Sequence, residues 1–170
     1  MENVIIIMDE TPEKYRSYAE LVVPDFVKLF REYTKMTAPY IKQRKELAEK
    51  WAGTPRTAEN WNDFDEYDSL MDKWSAECKN KKLELLTGRI TDNIYVTPHD
   101  LYPSRFDFFN NSFKLRFIMK SAKKITIDAI DESTDYVRYR FILRPDDDKW
   151  LIDWLGYSYE EEGALKKWDL

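Results

Sequence analysis

From Phe113 to Trp154 apolar residues occupy alternate positions in four successive runs, the period of an extended strand with one buried face. Phe113, Leu115 and Phe117 oppose Lys114 and Arg116 in the first run. Ile125, Ile127 and Ala129 share one face of the second, and Val137, Tyr139, Phe141 and Leu143 one face of the third. Trp150, Ile152 and Trp154 share one face of the fourth. The connections Asp131-Glu132-Ser133-Thr134 and Pro145-Asp146-Asp147-Asp148 are short enough for antiparallel hairpins. Asp146, Asp147 and Asp148 suit a turn, because aspartate tolerates turn conformations and hydrogen-bonds its own backbone. They do not suit a calcium loop: Lys149 and Trp150 follow, with no glycine before Gly156.

Upstream the period is helical. Thr11-Pro12-Glu13 reads as an N-cap, a proline at the first helical position and an acid in the first turn. Tyr15, Tyr18, Ala19 and Val22 follow at helical spacing. Pro24 is expected to break or kink this helix, and Pro39 to interrupt the stripe of Phe26, Leu29, Phe30, Tyr33 and Thr37. Tyr40, Ile41, Leu47, Ala48 and Trp51 form a third segment ended by Gly53 and Pro55. A fourth helix places Tyr67, Leu70, Met71, Trp74 and Cys78 on one face, and Leu83, Leu85 and Leu86 extend it. Ile90, Ile94 and Val96 predict a strand over 89–97, and 98–112 is rich in turn residues. The expectation is one α+β domain over 1–170, with helices over about 11–87 and an antiparallel sheet over about 89–160.

At 170 residues, 43% of them hydrophobic, the chain can bury a substantial core. Its single cysteine excludes a disulfide framework, and no apolar run reaches the ~20 residues of a membrane span. Glu2 stands where a signal peptide needs positive charge, so a cytoplasmic protein is expected. A net charge of −5 with dispersed Lys and Arg disfavours nucleic acid and favours a basic partner. Lys114, Arg116, Lys120, Lys123 and Lys124 form the one basic run, read as the outward face of a strand.

Sites for chemistry are sparse. Asp153, between Ile152 and Trp154, is expected on the face of Leu151, Leu155 and Tyr157. If that face were concave, it would be a general base in an apolar pocket. His99, the only histidine, precedes Asp100 in a turn-rich segment and reads as solvated. Cys78 beside Trp74 reads as a small buried hydrophobe. No metal or cofactor is expected. Between Glu59 and Asp72 stand six acids and no Lys or Arg. Trp61, Asp63, Phe64, Asp65, Glu66 and Asp68 interleave aromatic anchors with carboxylates, as a surface for a basic protein requires. Glu160, Glu161 and Glu162 form a second acidic patch.

Helices followed by a meander of long strands, closed by DDDKWLIDWLGYS, resemble the NTF2-like superfamily over residues 12–52 and 113–160. The helix-rich first half is similar to the NTF2-fold immunity proteins of bacterial polymorphic toxin systems. That resemblance implies a cone of helices wrapped by a curved sheet. It also implies a non-enzymatic role, binding a cognate toxin and occluding its active surface. The alternatives are a pocket enzyme or small-molecule binder using Asp153 with His99 and Tyr157, and a homodimeric adaptor pairing through Trp150 and Trp154.

Overall fold

The computed structural model describes residues 3–50, 52–55, 57, 65–83, 106–131, 137–160 and 163–167. The strand expected over 89–97 lies outside the described residues, as does the side chain of Cys78. The fold is α+β. The elements run β1 (Val4–Ile7), α1 (Glu13–Lys50), α2 (Asp65–Leu83), a single 3-10 turn (Asp107–Asn110), β2 (Phe113–Ser121), β3 (Lys124–Asp131), β4 (Val137–Asp146), β5 (Lys149–Ser158) and β6 (Lys166–Lys167).

The six described strands make one open mixed sheet in sequence order. β2 to β6 pair antiparallel, whereas β1 pairs parallel with β2. This edge strand was not read in the sequence, since four residues of mostly aliphatic chain carry too little pattern. Beyond Ile7, the β1 edge of β2 has no strand partner among the described residues, and the buried side chain of Thr11 takes over. Its hydroxyl donates to the Phe117 carbonyl at 2.7 Å and accepts from the Met119 N–H at 3.1 Å. The expected N-cap thus spends its hydroxyl on the sheet edge, where two backbone groups would otherwise be buried unpaired.

α1 is continuous through Pro24 and Pro39, where a break or kink and an interruption were expected. At 38 residues it is ~57 Å long at the usual rise. Each proline removes a hydrogen bond to the carbonyl four residues earlier, on Glu20 and Lys35, which are both exposed. Water can reach those carbonyls. The opposite stripe, Val23, Phe26, Val27, Phe30 and Tyr33, is buried against the sheet and holds the helix together.

The core is aromatic. Phe26 and Phe30 meet Phe141 at 5.0 and 5.1 Å, and Phe30 stacks on Phe109 at 4.7 Å. The 3-10 turn supplies Phe108 and Phe109, and Phe108 stacks on Tyr139 at 5.5 Å. Two bonds fasten that turn to α1: Arg31 Nε donates to the Phe109 carbonyl at 2.8 Å, and Asn110 Nδ2 to Thr34 Oγ1 at 3.0 Å. α2 packs antiparallel to α1. Tyr40 stacks on Trp74 at 5.8 Å, Arg44 Nε donates to the Tyr67 hydroxyl, and Lys50 pairs with Glu66.

Candidate functional site

β5 does not keep the alternation expected of it. Leu143 pairs with Ile152 but Ile142 pairs with Trp154, so Asp153 is an extra residue, a β-bulge. One inserted residue reverses every face beyond it. Trp150 and Ile152 therefore share the core face with Leu155 and Tyr157, which pair with Phe141 and Tyr139, while Trp154 turns outward beside Ile142. The expected grouping of Trp150, Ile152 and Trp154 is corrected on this point. So is the grouping of Asp153 with Leu155 and Tyr157. The Asp153 carboxylate lies 3.5 Å from Arg144 Nε, with its side chain 11% exposed. The inner face that would have formed its pocket is occupied by the phenylalanines of the core. Tyr157 packs against that core and meets Tyr159 edge-on.

The remaining expected residues are scattered. Trp61, Asp63, Phe64, His99, Glu161 and Glu162 lie outside the described residues. Asp65, Glu66 and Asp68 are exposed in the first turn of α2, where the helix dipole favours acids, and Glu66 faces Lys50 at 3.5 Å. Glu160 is exposed just past β5. Asp147 and Asp148 form the tight turn between β4 and β5, with Asp147 in the left-handed region at φ 48°. Among the described residues no cluster of His, Cys, Asp or Glu is arranged to hold a metal ion.

That aspartate turn overhangs a groove absent from the sequence reading. Tyr18, Leu21, Val22, Asp25, Phe26 and Leu29 form one wall from α1; Leu143, Trp150, Leu151 and Ile152 form the other. Its volume is about 500 Å³. Tyr18 and Trp150 meet edge-on at 6.4 Å, and Leu21 is 69% exposed. Asp25 on one wall and Asp148 on the other give the apolar floor an acidic rim, with Lys149 beside them. Its one sequence signal is Leu21 before Val22 and Val23, three apolar residues in a row that widen the helix stripe past its buried face.

The outer face of the sheet carries a cross-linked polar ladder beside Ile118, Ile130, Ile142 and Trp154. Arg116, Asp128, Arg140 and Gly156 are consecutive partners across β2 to β5. Asp128 is only 1% exposed and accepts two 2.6 Å bonds from Arg140 Nε and Nη2. This fork-to-carboxylate pairing raises the Arg140 pKa further, against the opposing effect of burial. Arg116 reaches Asp9 at 3.7 Å, and Lys120 donates to Glu10 at 2.9 Å. Lys114, Lys124, Arg138 and Arg144 stand on the same face by register. Of the basic run read as one outward strand face, Lys114, Arg116 and Lys120 lie on the outer face of β2, whereas Lys123 is in the β2–β3 turn and Lys124 opens β3.

No family model, curated protein or solved structure matches the chain. Among the described residues, no helix is long and apolar enough to cross a membrane.

Proposed function

We propose that this protein is a binding protein of the immunity type, an NTF2-like module that neutralises a toxin enzyme by covering its active surface. The observation that carries this reading is the groove between α1 and the β4–β5 hairpin. An apolar floor with Leu21 on its wall and carboxylates of Asp25 and Asp148 at its rim suits a basic segment that presents an apolar side chain. The chain's charge of −5 would speed the encounter with such a partner. The acidic first turn of α2, with Asp65, Glu66 and Asp68, serves as a second, steering contact. The order of helices followed by a meander supports the NTF2-like assignment.

Co-expression tests the proposal. A toxin encoded beside this gene should arrest growth alone and be relieved by this protein. Leu21→Asp with Asp148→Lys should abolish relief; the pair Asp65→Lys and Asp68→Lys should only slow binding. If the α2 pair abolishes relief and the groove pair does not, the groove is the wrong surface. If no neighbouring gene product is neutralised, the immunity reading fails.

A further inference from the structure

A second concavity, of about 400 Å³, opens on the outer face of the sheet at the β2–β3 hairpin. It falls within the size range of small-molecule sites. Its lining is dominated by hydrogen-bond donors from different strands. Lys120 and Ser121 come from the end of β2, Lys124 and Thr126 from the start of β3, and Arg140 from β4. Arg140 spends Nε and Nη2 on Asp128, so its orientation is locked while Nη1 has no partner among the described residues. Neither the Lys124 ammonium nor the hydroxyls of Ser121 and Thr126 have a side-chain partner there. One acid enters the cleft. Glu10, from the β1–α1 connection, is held by Lys120, whose hydrogen bond and charge keep its pKa below the usual carboxylate value; Arg116 and Arg140 add to this.

We propose that this cleft binds a phosphorylated polyol, such as a sugar phosphate. Lys124 and Arg140 Nη1 take the phosphate oxygens, which need several charged donors in different directions. Glu10, ionised and fixed by Lys120, accepts from ligand hydroxyls, and Ser121 and Thr126 complete the hydroxyl contacts. A nucleobase is disfavoured, because among the described residues no aromatic ring lines the cleft and Ile118 is the one apolar wall. The site is on the opposite side of the sheet from the helices, so its existence does not depend on the toxin-binding reading.

Calorimetry of the full chain with glucose 6-phosphate, inorganic phosphate and glucose tests the site. Glucose 6-phosphate should bind at least about tenfold more tightly than either fragment, and Lys124→Glu should weaken it by about tenfold or more. Thr126→Val should cost about threefold. Lys124 is exposed at the hairpin end, so its replacement should leave the unfolding midpoint unchanged; Lys124→Ala repeats the test without charge reversal. Binding to vesicles containing phosphatidylinositol 4-phosphate, lost in the same variants, would assign the polyol to a lipid headgroup and sustain the proposal. Equal affinity for inorganic phosphate, no binding of any probe, or indifference to both Lys124 variants would overturn it.

Discussion

On the inner face of the sheet Phe141 meets Phe26 and Phe30, while its neighbour Arg140, on the outer face, grips Asp128. The inner face is a dry aromatic layer closed by α1 and the 3-10 turn. On the outer face Asp128 is 1% exposed and Ile130 7% exposed, although none of the described helices packs there. Stability on the inner side comes from burial and packing. On the outer side the fork holds a buried carboxylate and a partly exposed guanidinium in fixed geometry, and replacing such a pair by apolar groups often costs little net stability. The groove belongs to the first layer, at the point where α1 fails to cover β5; the donor-lined cleft belongs to the second.

Removing a fully buried ring from the inner layer should have the largest effect. Phe109→Ala should lower unfolding free energy by about 3–5 kcal/mol in a denaturant titration, since the ring is fully buried between Phe30, Phe108 and Phe113. Asp128→Asn should cost about 2–3 kcal/mol by leaving Arg140 without its carboxylate. The double replacement Asp128→Leu with Arg140→Met should recover most of that loss; if it does not, the outer face stabilises the fold as strongly as the core and the contrast collapses.

Gly156→Ala should cost about 1–3 kcal/mol, read as a lower unfolding midpoint. A Cβ there would collide with the Trp154 ring and approach the Lys166 carbonyl to 2.8 Å. The smallest effect belongs to Glu10 and Lys120, whose side chains are 45% and 67% exposed. Because the Glu10 pKa is lowered on folding, its contribution is present above the unfolded value of 4.5 and is lost as pH falls through the folded one. Lys120→Met should therefore cost at most about 0.5 kcal/mol at pH 7, and progressively less as the pH falls through the folded Glu10 value.

The strands β2 and β4 were legible because one face of each is buried and the alternation is unbroken over seven residues, and β3 because Thr126 and Asp128 keep its sequence alternating although both of its faces are buried. β5 was legible as a strand but not in its faces: nothing in Ile152-Asp153-Trp154 announces a bulge, whose cause is the pairing with Ile142 and Leu143. Pro24 and Pro39 read as breaks because their local cost is visible in sequence, whereas the buried stripe that overrides it is a sum over tertiary contacts. Of the site, the exposed acids of α2 were readable from composition. The groove joins Leu21 to Trp150 and the cleft joins Glu10 to Arg140, residues that no local pattern connects.

By itself, the chain's hydrophobic period determined the α+β class, the aspartate turn and the outward placement of Lys114, Arg116 and Lys120, because each depends on residues within one strand or hairpin. Only the tertiary structure decided that α1 runs through two prolines, that Thr11 completes a sheet edge, and that Asp153 faces Arg144 instead of a pocket. Each of those outcomes is settled by what a distant segment buries or pairs, and the free energy of that contact exceeds the local preference it overrides.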